Sequence, residues 1–329
     1  MSIDTNSANR TLDAGVIGVG SMGRNHARVY SELLGVNLVG VSDVEGSTAM
    51  EVATAYGSRA MSRSMLLAAA DVVSVAVPTQ YHYEVVRECI EAGVHVLVEK
   101  PFVQDLEKGR ELAALAREAD VTLQVGHIER FNPVTRVLAD IVPDLDVVAI
   151  DIDRLGPPLD RENDDSVVMD LMVHDIDILL SLVDSEIESL SATAHDDRHV
   201  AVQFRFDDDS IAALTASRLT QEKIRTLSVT AHSCRVNVDF ISQTVEIYRR
   251  SLPEYVETDG DVRYRHESVV ERPTIENGEP LKAELEAFAD AVRNGTEPIV
   301  TAEDALDVMA VANSIESIAC ETRETSPLV

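Results

Sequence analysis

Lysine is almost missing from this 329-residue chain: Lys100, Lys108, Lys223 and Lys282 stand beside 24 arginines, and these 28 cations face 58 acidic residues for a formal net charge of −30. So little positive charge excludes nucleic acid and anionic membrane as partners. The acids are spread in short runs such as Asp196-Asp197 and Asp207-Asp208-Asp209 instead of forming one tail, which reads as a solvated acidic shell. With the lysine shortage, that shell suits a halophilic protein in a salt-rich cytosol. Cysteine is scarce too. Cys89, Cys234 and Cys320 are odd in number and far apart, so no disulfide framework is implied and all three are expected as reduced core residues. No apolar run approaches the ~18 residues of a membrane span, and residues 1–7 lack a basic-then-apolar leader; a cytoplasmic protein is expected. What the chain has in plenty is apolar content, 45% of residues, ample for about two domains.

The hydrophobic period divides the chain. Short β-branched runs at 14–18, 36–41, 71–77, 94–98 and 121–125 alternate with helical patterns at 24–34, 46–56, 83–92 and 106–119. Continuous apolar strands with helices between them predict a doubly wound parallel sheet covered on both faces, a Rossmann-type α/β domain over residues 1–126. From about residue 147 strands follow one another directly, at 147–155, 187–194, 200–206, 211–217, 226–231, 235–240 and 244–249, with short polar turns. Helices are expected at 166–183, 280–293 and 302–320, and a long excursion loop over 251–280. Residues 127–329 thus read as an α+β domain with an open, mainly antiparallel sheet, the last helix (302–322) packing near the first domain. The outer face of such a sheet needs covering, which predicts a homodimer or homotetramer through it.

The first strand runs into Gly18-x-Gly20-x-x-Gly23 and then a helix, the strand-turn-helix context a dinucleotide fingerprint requires. Gly18, Gly20, Ser21, Met22 and Gly23 would bring backbone N–H groups against a pyrophosphate. Asp43 ends the second strand 20 residues after Gly23, where a carboxylate accepts from ribose hydroxyls and repels a 2′-phosphate, so NAD is favoured over NADP. Pro78, Thr79 and His82 follow the strand 71–77 at the ligand-bearing rim; His82 either caps the next helix or lines the cofactor site. Glu99-Lys100-Pro101 ends the strand 94–98, with proline restraining Lys100, whose ammonium can steady a developing alkoxide. In the helical pattern 166–183, Asp170, His174 and Asp177 share one face at i, i+4, i+7, so a carboxylate can orient an imidazole acting as general base. A metal site and a structural polar network are the rivals, the metal weakened because no second histidine stands at ligand spacing. In 125–133, Arg130 and Asn132 lie before a proline stop and suggest either a substrate-facing segment or an interdomain polar cluster.

At these residues the sequence resembles the Gfo/Idh/MocA family of NAD(P)-dependent sugar and cyclitol dehydrogenases. The likeness rests on the glycine fingerprint, on Val77-Pro78-Thr79 to His82, on 92–101 ending in Glu99-Lys100-Pro101, and on Asp170-x-x-x-His174-x-x-Asp177. It implies a catalytic trio of Lys100, Asp170 and His174, with His174 the acid/base and Glu99 among the cofactor contacts. It also implies substrate contacts from Lys100, Arg130, Asn132, Asp170 and His174. Segments 125–133 and 170–177 are similar to the branch that oxidises the 3-hydroxyl of UDP-N-acetylglucosamine; a myo-inositol or aldose dehydrogenase and a non-catalytic NAD-binding sensor are the alternatives.

Overall fold

A computed structural model describes residues 10–158, 166–250, 254–258, 261–265 and 268–324. The expectation for residues 1–7 lies outside the described residues. The chain divides into two units, one of residues 1–131 with 278–310 and the other of 132–277 with 311–329.

In the first unit the elements run β1 (Leu12–Ile17), α1 (Ser21–Glu32), β2 (Val36–Ser42), α2 (Gly46–Ala55), β3 (Arg59–Ala60), α3 (Arg63–Leu67), β4 (Val72–Val75), α4 (His82–Glu91), β5 (His95–Glu99), α5 (Leu106–Glu118) and β6 (Leu123–Gly126). The strands form one parallel sheet ordered β3-β2-β1-β4-β5-β6. Alternation within each strand feeds two cores: Val96 and Val98 enter the one built on α4 and α5, while Leu97 points to the other with Val16, Tyr30 and Phe288. Helix α4 buries Val85, Val86, Cys89 and Ile90, the stripe its sequence predicts, and Gly93 follows its C-cap at φ +71°. Burial pushes the Cys89 thiol up to about 12, so it behaves as a small hydrophobe.

The second unit holds α6 (Pro133–Ile141), β7 (Val147–Leu155), α7 (Val173–Leu182), β8 (Ile187–His195), β9 (His199–Phe206), β10 (Ile211–Ser217), β11 (Ile224–Ala231), β12 (Cys234–Asp239), β13 (Thr244–Arg250), β14 (Glu254–Thr258), β15 (Asp261–Arg265) and β16 (Ser268–Glu271). Its eight-stranded sheet runs β16-β13-β12-β11-β7-β10-β9-β8, antiparallel except where β7 meets β10. Strand β9 buries Val200, Val202, Phe204 and Phe206 and exposes Ala201, Gln203 and Arg205, the signature of a sheet wet on one face. Back in the first unit, α8 (Pro280–Asn294) lays Leu281, Leu285 and Phe288 against α1, each such side chain worth about 1.5–3 kcal/mol of burial. The last helix is α9 (Ala302–Glu324).

Four expectations are corrected. Segment 278–310 belongs with the Rossmann sheet, because the apolar stripe of α8 is buried by α1 and not by the second sheet. The stretch 251–280 is not a plain loop: β14 and β15 pair as a hairpin and β16 joins the edge of the main sheet on β13, pairings that local composition does not disclose. Pro133 starts a helix instead of stopping one. It stands in the first turn of α6, where its missing N–H costs nothing, and the Asn132 side chain caps that turn by accepting from Val134 N at 3.3 Å. Cys89 and Cys234 are core residues as expected, but Cys320 is exposed on α9.

Candidate active site

The turn between β1 and α1 is shaped by its glycines for three different reasons. Gly18 sits at φ +83° and donates its N–H to Ser42 O at 2.8 Å, which closes the turn onto β2. A Cβ on Gly23 would lie 1.9 Å from Gly18 O, so only glycine lets the helix come that close to the strand. A Cβ on Gly20 would meet nothing within 4 Å, and α1 begins at Gly20 with no side chain capping its first N–H groups, while Ser21 stands exposed and Met22 half-buried. An open, uncapped helix N-terminus beside a bare glycine fits the pyrophosphate of a dinucleotide. Asp43 holds this turn: Oδ2 accepts from Val19 N at 2.7 Å and Oδ1 from Glu45 N at 2.9 Å. Each carboxylate oxygen has lone pairs left for hydroxyl donors.

Pro78 and Thr79 open a short turn (Thr79–Tyr81) after β4, on the same C-terminal rim as Glu99 and half-buried Lys100 at the end of β5. The Lys100–Pro101 peptide is cis. The His82 side chain does not cap its helix. It is buried with Nε2 2.8 Å from Val77 O and Nδ1 3.0 and 3.1 Å from Pro101 O and Phe102 O; all three are acceptors, so the neutral ring donates from one of its two nitrogens only. Burial holds its pKa below the ordinary histidine value against the pull of those carbonyls and of Glu99.

Sequence reasoning passed over His26. Its ring is buried, with Nε2 2.8 Å from Glu99 Oε1 and Nδ1 2.9 Å from Ser74 Oγ, which also meets Tyr30 OH at 2.9 Å. The available signal was helical spacing: Gly23, His26, Ala27 and Tyr30 form the buried stripe of α1, and a histidine on such a stripe needs partners. A cavity of about 780 Å³ in this unit, lined in part by His95, Arg117, Asp120 and Glu297, opens at the N-terminal ends of β5 and β6. The rim, not that cavity, is where ligands meet parallel sheets of this kind.

In the second unit, Asp170 and His174 do not share one regular helix. Val168–Met172 is a π-helical turn that runs into α7, a local widening frequent at functional sites. Both side chains are half-buried there, whereas Asp177, expected on the same face, is wholly buried. The Asp170 carboxylate pairs with Arg218, a nearly buried guanidinium just after β10 that the sequence did not single out because its partner is 48 residues away. Asp175 is bound by Arg154, whose Nε lies 2.8 and 3.0 Å from the two carboxylate oxygens with both side chains 3% exposed; this pins α7 to β7. Arg130 is half-buried in the turn Ile128–Phe131 of the first unit, and Asn132 is buried at its capping position, so its Oδ1 serves α6 before any substrate.

Known proteins resolve the meaning of these parts. A family model described as an oxidoreductase family with an NAD-binding Rossmann fold matches residues 12–127, and the GFO/IDH/MocA C-terminal domain matches residues 148–237. The chain belongs to the Gfo/Idh/MocA oxidoreductases. Within this family it is 33% identical over 290 residues to UDP-N-acetylglucosamine 3-dehydrogenase of Acidithiobacillus ferrooxidans, covering 85% of this chain and 88% of that one. It is 26% identical to an inositol 2-dehydrogenase of Rhizobium meliloti, over 96% and 99% of the two chains. A solved structure of the Acidithiobacillus enzyme superposes with a TM-score of 0.83 at 31% identity, covering 93% of this chain and 97% of that one. The chain is therefore an NAD-binding dehydrogenase of the kind that acts on CH–OH groups. Among the described residues no helix is long and apolar enough to cross a membrane.

Proposed function

We propose that this oxidoreductase oxidises a ring hydroxyl of a nucleotide sugar with NAD, most closely in the manner of a UDP-N-acetylglucosamine 3-dehydrogenase, in the cytoplasm. The observation that carries the reading is the joint presence of the open fingerprint turn, Lys100 on the β5 rim, Asp170 on the π-helical turn and His174 in the first turn of α7. The named Acidithiobacillus relative supports the choice of substrate.

Bound at the rim, the nicotinamide supplies the hydride acceptor. Lys100 hydrogen-bonds the hydroxyl oxygen and steadies the charge that develops there. His174 removes the hydroxyl proton as general base. Asp170 orients the His174 ring or relays its proton, and Arg218 supplies Asp170 with a countercharge from within the second unit. The Asp43 carboxylate favours NAD, since a 2′-phosphate would meet its charge. A second copy of the chain covers the outer face of the eight-stranded sheet, where Ile211, Tyr248 and Val270 are exposed.

The test is NADH formation in molar KCl with UDP-N-acetylglucosamine, UDP-glucose, myo-inositol, glucose and xylose, each with NAD and with NADP. Turnover of a UDP sugar with NAD is expected. Turnover of inositol or a free sugar alone would discard the nucleotide-sugar reading, in favour of the activity that the Rhizobium relative's name carries. Silence across the panel with NADH still bound would favour a sensor. Sedimentation velocity of the full chain, expected to give a dimer or tetramer, checks the covered sheet.

A further inference from the structure

A lysine on the end of a strand has four rotatable bonds and a backbone free to shift, yet the reading above asks Lys100 to meet one oxygen. The residues on either side of it are tied into the core by two buried histidines. On the leading side, the Glu99 carboxylate accepts from His26 Nε2 at 2.8 Å. On the trailing side, His82 Nδ1 faces Pro101 O and Phe102 O, and its Nε2 faces Val77 O on the neighbouring rim. Phe102 itself is wholly buried.

The proton positions on the His26 side follow from what each group can do. A carboxylate only accepts, so the proton between His26 and Glu99 sits on Nε2. In the neutral tautomer the ring accepts at Nδ1 from the Ser74 hydroxyl, whose own oxygen can receive Tyr30 O–H. Burial raises the Tyr30 pKa well above the usual phenol value, which keeps that last donor protonated. In that tautomer the chain Tyr30 to Ser74 to His26 to Glu99 has a donor for every acceptor along it. It starts on α1, crosses β4 and ends one residue before Lys100. Histidines that only filled the core could bond any of its polar groups. His26 meets the side chain at position −1 relative to one lysine, and His82, in its Nδ1–H tautomer, donates to the carbonyls at +1 and +2.

We propose that His26 and His82 are positioning residues for Lys100, clamping the peptide on both sides of it so that its ammonium is presented in one place. This rests on the reading of Lys100 as the residue that steadies the alkoxide. Because small misplacements of a reacting group are costly, loosening either clamp should lower kcat by about tenfold or more while leaving KM for the sugar and NADH affinity within about threefold.

The test uses the full chain with His26→Leu, His26→Gln, His82→Leu, His82→Asn and Glu99→Gln. Gln and Asn keep one side-chain donor and should recover most of the kcat, which also covers the case in which a leucine variant does not fold. His26→Leu combined with Glu99→Gln should be no worse than the poorer single change, since both act on the same contact: leucine removes it, and glutamine keeps an acceptor for His26 Nε2 but not the charge. A second readout needs neither cofactor nor turnover. With only four lysines, reductive methylation followed by peptide mapping gives the labelling rate of Lys100, with Lys108, Lys223 and Lys282 as internal controls. The expected result is a several-fold change at Lys100 alone. Wild-type labelling and wild-type kcat in the folded variants would overturn the proposal, as would equal changes at all four lysines. Lys100→Met separates the two ideas: full turnover in that variant would remove the catalytic role of Lys100, while the labelling rates would still report whether the clamps hold it.

Discussion

The two units build their share of the chemistry from different materials. In the first, the working surface is backbone: uncapped N–H groups at α1, a bare Gly20, and a turn whose shape comes from Gly18 and Gly23. In the second the proposed site is side chains, with Asp170 on a π-helical turn, His174 at the start of α7, and two arginines, Arg154 on β7 and Arg218 just after β10, meeting carboxylates. A backbone site is made by a few consecutive residues, so it tolerates change elsewhere and fails abruptly when one glycine gains a side chain. A side-chain site depends on partners far along the chain, so it degrades by steps as each ion pair is removed.

That contrast can be broken at several points. The largest effect is expected at Gly23→Val, whose Cβ would overlap Gly18 O; NADH fluorescence titration should show cofactor binding lost altogether, while Gly20→Ala, facing open space, keeps the fold. Next comes Asp175→Ala, which takes the paired carboxylate from the buried Arg154 guanidinium and should cost about 3–5 kcal/mol in denaturant unfolding. Arg218→Met should lower kcat by about tenfold, the scale of one lost charge-assisted hydrogen bond, with NADH affinity unchanged. An equal loss of NADH binding would break the division between a cofactor half and an acid/base half. Asp43→Ser should weaken NAD binding and narrow the gap between NAD and NADP, read from the ratio of their kcat/KM values.

The smallest effect is in pH. His82 and His95 both have folded-state pKa values below the ordinary histidine value, chiefly from burial. The unfolded chain then binds more protons than the folded one as pH falls through about 6.5, so stability is complete above that range and declines below it. Thermal midpoints at decreasing pH should fall, and His82→Gln should flatten the slope.

Legibility followed the same line. The glycine turn, the parallel sheet and the stripe of α4 could be read directly, because period and turn chemistry are local. The start of α6 was misread because proline punctuates both ends of helices, and only the Asn132 cap tells which end is meant. The strands β14 to β16 were read as loop because their partners, each other and β13, supply the order that their composition lacks. His82 was read as a helix cap or a cofactor-lining residue from its position at the rim, yet its ring lies against carbonyls of the segment after Lys100.

What the sequence determined alone was the fold class, the dinucleotide turn and the identity of the acid, base and lysine candidates, since each is written in neighbouring residues whose sterics and spacing allow few conformations. The tertiary structure alone decided which charges meet and which histidines hold the rim. Asp170 meets Arg218 and Glu99 meets His26 across 48 and 73 residues, and such pairs exist only once the strands and helices between them are in register.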